Sequence, residues 1–244
     1  MWLTKDVEIV DGQPILYIKS LNALVCSDLH LGYEGVMAEQ GVFLPKANLG
    51  KIEQSVRKAI RTTGAVTLIV AGDIKNEFSK VHLEEFNEFK EFVAFTKRLG
   101  VSRLVLIKGN HDNFVDKYEK PFKIDIYKQE ALFGAYLIFH GEELPKINKG
   151  NFMIMGHVHP AIAVFNKIGV KEKLKCFLYG KLRGGKQLII LPAMNFYAGN
   201  VEVNIEDISE LSPVFGTLVD VNTLRAFCIG DDETLDFGSI ENLR

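Results

Sequence analysis

The sequence contains no long hydrophobic segment. Its apolar runs, such as residues 67–71 and 136–139, have the length of a strand, and a membrane-spanning helix needs roughly 18 apolar residues. Residues 1–12 also show no charged-then-apolar pattern of a signal peptide. We therefore expect a cytoplasmic protein that makes no membrane contact.

Cysteine is scarce, and neither sign of charge is in large excess. The chain has 3 cysteines, at positions 26, 176 and 228, an odd number that fits reduced, buried thiols better than a disulfide framework or a zinc knuckle. The net charge of -2 argues against a protein that coats nucleic acid through a generally basic surface. Any contact with nucleic acid must therefore be local.

One stretch, residues 167–186, is strongly basic. Only Glu172 opposes its basic side chains, which are Lys167, Lys171, Lys173, Lys175, Lys181, Arg183 and Lys186. One interpretation is a solvated hairpin with a basic outward face and its turn at residues 183–185. The other is a nucleic-acid contact in which Lys181, Arg183 and Lys186 bind the substrate. The sequence leaves both open.

The domain organisation follows from size and patterning. With 244 residues and 47% hydrophobic composition, the chain can bury one large core. It has no internal repeat, low-complexity block or Pro/Ser-rich linker. We predict a single domain spanning residues 1–244.

Hydrophobic periodicity predicts an α/β fold. The pattern predicts strands at residues 7–10, 15–18 and 23–27 and a helix at 49–61. It also predicts a strand at 66–71 that is buried on both faces. A phenylalanine-rich amphipathic helix follows Ser79 and ends near Gly100, before a buried strand at 103–107. Further strands are predicted at 135–139, 152–155, 162–165, 175–179 and 187–191. Two layers of sheet with helices outside are the simplest arrangement of these elements.

Polar clusters follow the predicted strands, where open α/β sheets bind their ligands. The sequence has 6 histidines. His82 falls at the start of the long helix and is predicted to be a surface residue, whereas the other histidines stand at strand ends beside Asp, Asn or Gly. The clusters are D-x-H at 28–30, G-D at 72–73, G-N-H-D at 109–112, H-G at 140–141 and G-H-x-H at 156–159.

Each cluster alone is a weak signal, because an Asp after a strand is commonly a turn residue. Together they supply carboxylate, imidazole and amide oxygen ligands. This donor set suits manganese, iron, zinc or magnesium rather than a thiolate site. The sequence therefore predicts a metal centre.

These motifs, in this order, resemble the calcineurin-like metallophosphoesterase superfamily over residues from about 23 to 160. The resemblance implies a two-sheet β-sandwich flanked by helices and two divalent ions, manganese above iron, zinc or magnesium, with hydroxide as the nucleophile. It implies a first metal held by Asp28, His30 and His159. It implies a second metal held by Asn110, His140 and His157, with Asp73 bridging the two.

Two further residues receive roles through this resemblance. His111 corresponds to the family's catalytic histidine, which protonates the leaving oxygen of the phosphate ester. Asp112, beside it, is predicted to assist catalysis by orienting His111 or a ligand, as is Asn76. Both positions are equally compatible with a role as turn residues.

The motifs also separate branches of the superfamily. Protein Ser/Thr phosphatases read G-D-x-x-D-R-G at the second motif, whereas residues 72–78 contain no arginine. Residues 27–34 and 72–79 are more similar to archaeal phosphoesterases related to the nuclease of the double-strand-break repair complex and to bacterial ligase-associated phosphoesterases. That similarity implies a phosphodiester substrate, nucleotide or nucleic acid, with DNA-repair proteins as candidate partners. A phosphomonoesterase and a non-catalytic scaffold are the alternatives, and the complete ligand set favours an enzyme.

Overall fold

The computed structural model describes residues 1–79 and 82–244. The strands are β1 (Val7–Ile9), β2 (Leu16–Ile18), β3 (Ala23–Cys26), β4 (Thr67–Ala71), β5 (Arg103–Ile107), β6 (Asp125–Tyr127), β7 (Glu130–Phe133), β8 (Tyr136–Phe139), β9 (Phe152–Met155), β10 (Pro160–Phe165), β11 (Lys171–Lys181), β12 (Gln187–Ile190), β13 (Val201–Glu202), β14 (Arg225–Ile229) and β15 (Thr234–Ser239). The α-helices are α1 (Tyr33–Glu39), α2 (Asn48–Thr63), α3 (Leu83–Arg98), α4 (Glu119–Phe122) and α5 (Val214–Thr217). Short 3-10 turns occur at Lys19–Leu21, Val115–Tyr118, Val221–Thr223 and Ile240–Leu243.

The strands form two mixed sheets. The first has the order β1-β2-β3-β4-β5-β6, and β3 to β6 run parallel. The second has the order β13-β10-β11-β12-β9-β8-β7, with β14 and β15 joined to β11. In this sheet β8, β9 and β12 are parallel neighbours. The parallel strands of each sheet therefore present their carboxyl ends at one edge.

The alternation of side chains along each strand builds a sandwich. In β3, Leu24 and Cys26 pack towards helices α2 and α3, while Ala23 and Val25 face the second sheet. The core between the sheets combines residues such as Ile69 of the first sheet with Ile154 and Ile189 of the second. The predicted α/β fold, with two sheets flanked by helices, is confirmed.

Helices α2 and α3 cover the outer face of the first sheet. Their buried stripe includes Ile52 and Val56 of α2 and Phe89 and Phe92 of α3, all at most 1% exposed. Truncating a buried phenylalanine such as Phe89 to alanine costs about 3–5 kcal/mol. Helix α2 ends at Thr63 and is capped by Gly64, which has a left-handed φ of 69° and donates its N–H to the carbonyl of Ile60.

Several details differ from the expectations. The long helix begins at Leu83, and residues 80–81 of the predicted segment lie outside the described residues. His82 lies at the surface as a partly buried residue, since its side chain is 13% exposed and its Nε2 lies 3.0 Å from Glu39 Oε1 of α1. The sequence pattern did not predict helix α1. It also did not predict that residues 203–219 pack against the second sheet.

Other expectations concern the cysteines, the hairpin and the membrane. All three cysteines are free and buried, as expected, and burial raises the pKa of the Cys26 thiol, which makes a nucleophilic role untenable. The predicted turn at 183–185 joins β11 to β12. Within the described residues no helix is long and apolar enough to span a membrane. The prediction of a single domain stays a prediction.

Candidate metal centre

Each of the predicted ligands stands just after a strand. Asp28 and His30 follow β3, Asp73 follows β4 and Asn110 follows β5, while His140 follows β8 and His157 and His159 follow β9. Because these strands are parallel within their sheets, the loops meet at one edge of each sheet. An isolated bridge between Ser27 and Ala193 joins the two sheets at this edge.

The backbone of this edge is strained. Of eight non-glycine residues with positive φ among those described, five belong to the predicted ligand set, with φ between 44° and 69°: Asp28, His30, Asp73, His157 and His159. Such conformations cost of order 1–3 kcal/mol each and cluster at functional sites. Backbone hydrogen bonds hold them, from Asp28 N to Gly72 O and from His30 N to Asp73 O.

One group of donors combines Asp28, His30 and His159. The Nε2 of His159 lies 3.2 Å from Asp28 Oδ1 and 3.4 Å from His30 Nε2. Asp28 is fully buried and His30 is 6% exposed. The donor atoms lie within 4.8 Å of one another, so this group could hold a metal ion.

A second group combines Asp73, His140 and His157. The Nε2 of His140 lies 3.2 Å from Asp73 Oδ2, from His157 Nδ1 and from Asn110 Oδ1. These donors also lie close enough to hold a metal ion together. Gly109 borders them, and a side chain at that position would collide with the Asp73 carboxylate.

Asp73 stands between the two groups. Its Oδ2 is 3.2 Å from His140 Nε2 and 3.8 Å from His30 Nε2, and these two histidines belong to different groups. The second carboxylate oxygen, Oδ1, accepts the backbone N–H of His111 at 3.0 Å. One carboxylate therefore faces both groups of donors.

The outer nitrogens of three histidines determine where the protons lie. His140 Nδ1 faces Ala71 O at 3.0 Å, His157 Nε2 faces Leu211 O at 3.1 Å and His159 Nδ1 faces Gly199 O at 3.3 Å. Because a carbonyl only accepts, these nitrogens carry a proton, and the nitrogens turned inward offer lone pairs to a cation. The residues present therefore fit a metal centre.

The electrostatics of the cluster agree with this arrangement. Burial opposes a charge on His140, but Asp73 and then Asp28 outweigh it and raise the pKa of His140 to about 10. Burial also acts against the Asp28 carboxylate, yet His159, His140 and His30 lower its pKa below the ordinary value. For His30 burial prevails and lowers the pKa to about 4. Metal ligands must be deprotonated, so a cation that binds here displaces the proton of His140.

Comparison with known proteins assigns the family. A family model described as calcineurin-like phosphoesterase matches residues 21–158. The chain belongs to the calcineurin-like phosphoesterase family. Membership implies a hydrolase of phosphate esters that binds divalent metals, which agrees with the clustered donors. No curated protein sequence matches the chain significantly.

A solved structure shares the fold of this calcineurin-like phosphoesterase, and two others are similar to it at lower scores. The Pseudomonas putida nuclease MPE superposes with a TM-score of 0.63 at 17% identity, over 92% of each chain. YfcE, a phosphoesterase from E. coli, gives 0.44 at 17% identity over 89% of this chain and 98% of its own. Vps29 from Entamoeba histolytica, complexed with zinc, gives 0.35 at 14% identity over 88% and 99%. At such identities the similarity to the nuclease concerns the fold alone.

His111 lies against the donor cluster of the phosphoesterase. Its Nδ1 is 2.7 Å from the carbonyl oxygen of Asn76, so Nδ1 donates there and Nε2 is the nitrogen left to exchange a proton. The backbone carbonyl of Asn76 therefore holds the ring of His111, and the part of both residues in catalysis stays a prediction. The ring also lies edge-on to His30 at 5.0 Å, and His30, Asp73 and His111 form a third group of donors within 4.8 Å. The geometry alone is compatible with either an acid or a ligand.

Asp112 is buried behind the donors. Its Oδ1 accepts the N–H groups of Ile74 and Lys75, and its Oδ2 accepts that of Gly109. Burial and the neighbouring Asp73 carboxylate raise the pKa of Asp112 to about 7. The side chain therefore joins the loops after β4 and β5, and its predicted assistance to catalysis stays a prediction.

The predicted substrate-binding residues of the basic stretch are not brought to the donors. Lys181, Arg183 and Lys186 surround the turn between β11 and β12, which precedes the amino end of β12. Since β12 and β9 are parallel, this turn lies at the opposite edge of the sheet from His157. The expectation of an outward basic face is wrong for Lys175, which is largely buried and donates to the carbonyls of Ala193 and Asn195. Burial lowers the pKa of Lys175 to about 8.

Sequence reasoning missed two buried amides beside the centre. The Nδ2 group of Asn48 donates to the carbonyls of Leu29 at 3.1 Å and His30 at 3.4 Å, and that of Asn195 donates to the same two carbonyls at 3.3 and 3.4 Å. Asn195 follows β12 and carries the same strand-end signal as the ligands, so the sequence could have indicated it. Asn48 opens helix α2, where no local pattern sets it apart.

Proposed function

We propose that this phosphoesterase hydrolyses phosphodiesters of nucleotides or nucleic acids with two divalent cations. The observation that carries the proposal is the position of Asp73, whose Oδ2 faces His30 in one donor group and His140 in the other. A carboxylate between two sets of inward-facing nitrogens suits a pair of ions better than a single ion.

The donor groups supply the ligand assignment. The first ion would be held by Asp28, His30 and His159. The second would be held by Asn110, His140 and His157, and Asp73 would bind both. Oxygen and imidazole donors of this kind suit manganese, with iron, zinc or magnesium as alternatives. When bound, two cations lower the pKa of a water molecule and neutralise phosphoryl oxygens in an in-line displacement.

The protein's own contribution to proton transfer comes from His111. Its Nδ1 donates to the carbonyl oxygen of Asn76 at an N···O distance of 2.7 Å, which fixes the ring and leaves Nε2 to give a proton to the leaving oxygen. Asp112 keeps the loop of His111 in place through Gly109 N and Ile74 N. General acid catalysis of this type contributes roughly 10²- to 10⁴-fold.

The second motif supports a diester over a protein phosphomonoester. Glu77 stands where the protein Ser/Thr phosphatases carry their phosphate-binding arginine, directly after the Asn76 carbonyl that orients His111. A carboxylate there repels a doubly charged monoester more strongly than a singly charged diester. The fold of the Pseudomonas putida protein, a nuclease, is compatible with this substrate.

A comparison of substrates tests the proposal. Metal-free protein is reconstituted with Mn²⁺ and assayed on bis-p-nitrophenyl phosphate, p-nitrophenyl phosphate and single- and double-stranded oligonucleotides, with Asp73→Asn as the control. We expect metal-dependent hydrolysis that favours the diesters. Faster hydrolysis of the monoester would indicate a phosphomonoesterase. Folded, metal-loaded protein without turnover on any substrate would indicate a scaffold.

A further inference from the structure

Three aromatic side chains lie together beside the metal centre. The rings of Tyr33 and Tyr197 are stacked, with centroids 6.1 Å apart and an interplanar angle of 12°. Phe196 meets Tyr197 edge-on at 5.0 Å and is 49% exposed. We call Tyr33, Phe196 and Tyr197 the aromatic platform.

The aromatic platform is fixed to the loop of the first donor group. Asn48 and Asn195, both fully buried, donate to the carbonyl of His30. Their side-chain oxygens in turn accept the backbone N–H groups of Phe196 at 2.9 Å and Tyr197 at 2.6 Å. Two amides thus hold the platform and the ligand His30 in one rigid arrangement.

Further contacts place the platform at the edge of the centre. Tyr33 is three residues after His30, and its N–H donates to the His30 carbonyl at 3.2 Å. On the other side, the carbonyl of Gly199, two residues after Tyr197, faces His159 Nδ1. The backbone segments that carry the rings therefore adjoin the loops of the first donor group.

A basic groove continues from the platform. It has a volume of about 650 Å³, and its lining includes Phe196, four lysines and a single acidic residue, Asp231. The lysines are Lys51, Lys58, Lys173 and Lys175. Lys58 pairs with the exposed Asp232, Lys173 pairs with Glu202, and Lys175 donates to the carbonyls of Ala193 and Asn195. The Nζ of Lys51 lies 4.2 Å from the centroid of the Phe196 ring, and within residues 1–79 and 82–244 Lys51 has no ion-pair partner. We call this the lysine groove.

We propose that the aromatic platform and the lysine groove bind a single-stranded nucleic acid that leads to the metal centre. A base beside the scissile phosphate stacks on the exposed ring of Phe196, and the neighbouring phosphates pass along Lys51 and Lys58. Rings that stack bases, together with a cationic groove that follows the backbone, are how proteins bind single strands. A paired base has its faces covered by its neighbours, so the platform selects unpaired nucleotides. This inference rests on the proposed function, because it names the strand that the metal centre would cleave.

Binding without turnover tests the inference separately from the enzyme activity. The dissociation constants of a short oligothymidylate, its abasic counterpart and a duplex are measured on the metal-free protein, with aminopurine at successive positions as a reporter of stacking. Phe196→Ala is compared with Phe165→Ala, a matched exposed phenylalanine at the far end of β10 that is 62% exposed.

The platform and the groove give different expected signatures. Loss of stacking on one base by alanine substitution weakens binding by about 5- to 150-fold, so Phe196→Ala should show this loss for the oligothymidylate, with a much smaller effect on the abasic strand. Phe165→Ala should leave both constants unchanged. Lys51→Gln should weaken both strands and reduce the salt slope of binding by about one.

Several results would overturn the inference. If the wild-type protein binds the abasic strand as tightly as the oligothymidylate and aminopurine is not quenched, the rings do not stack bases. Tighter binding of the duplex would exclude a single-strand path, and tighter binding of an acidic peptide would assign the groove to a protein partner. If stacking and binding are found but no phosphodiester is hydrolysed, the proposed function fails while the binding site stands.

Discussion

A buried ion pair below the metal centre allows a quantitative prediction. Lys75 Nζ lies 3.0 Å from Glu85 Oε1, and the two side chains are 0% and 1% exposed. The other carboxylate oxygen of Glu85 accepts the N–H groups of Asn76 and Glu77 at 3.0 and 2.7 Å. The pair thus joins helix α3 to the loop whose Asn76 carbonyl orients His111.

Removing one partner should be costly because it leaves the other charge buried. Lys75→Met keeps most of the side-chain volume but strands the Glu85 carboxylate, which costs about 3–5 kcal/mol of unfolding free energy. The control is the pair of Arg103 and Asp125, which is shorter at 2.7 Å but 46% and 48% exposed. Arg103→Met should cost only about 0–1 kcal/mol. Burial, and not distance, decides the difference.

The measurement is urea denaturation of the metal-free variants. Glu85→Gln and the double variant Lys75→Met/Glu85→Gln complete a cycle, in which the double variant should lose less stability than the sum of the single changes. If Lys75→Met and Arg103→Met both lose only about 0–1 kcal/mol of unfolding free energy, as expected for an exposed ion pair, then the pair of Lys75 and Glu85 is not desolvated and the reasoning is refuted.

Three further predictions concern catalysis, pH and the basic turn. His111→Ala should keep its metals and lose about 10²- to 10⁴-fold on an alkyl diester but far less on bis-p-nitrophenyl phosphate; loss of metal would make His111 a ligand. Burial raises the pKa of Glu88 from 4.5 to about 7, so ionisation costs stability as pH rises through that range. The advantage of Glu88→Gln in thermal or urea unfolding should then grow by about 1–2 kcal/mol between pH 5 and pH 8, and a constant difference would contradict this. Replacing Lys181, Arg183 and Lys186 with alanine should leave the salt dependence of oligonucleotide binding unchanged, as expected for a solvated hairpin. A smaller slope of log affinity against log salt concentration would support the nucleic-acid interpretation.

The fold and the ligand cluster could be predicted because their signals are local. A buried parallel strand reads as an apolar run, and the polar residue that ends it, such as Asp73 after β4, must lie at the carboxyl edge of the sheet. The order of these clusters along the chain then indicated the resemblance to the family. Asp28, His30 and His159 meet for this reason although 129 residues separate the two histidines.

Contacts that depend on the three-dimensional arrangement could not be predicted. Asn48 and Phe196 are 148 residues apart, and only the folded chain brings them together. Helix α1 was not predicted because it is short, with 7 residues. Strand β11 is longer than predicted because its first residues are exposed lysine and glutamate, which do not show the apolar pattern of a strand. The division of the basic stretch, with Lys173 in the groove and Arg183 at the opposite edge, likewise follows from strand direction.

The metal content of the protein tests the central claim most directly. Elemental analysis after reconstitution with Mn²⁺ should give two ions per chain for the wild-type protein. Asp73→Asn should lose metal and abolish turnover, because Asp73 faces both donor groups. One ion or none in well-folded wild-type protein, or near-normal metal content and activity in Asp73→Asn, would contradict the dinuclear centre.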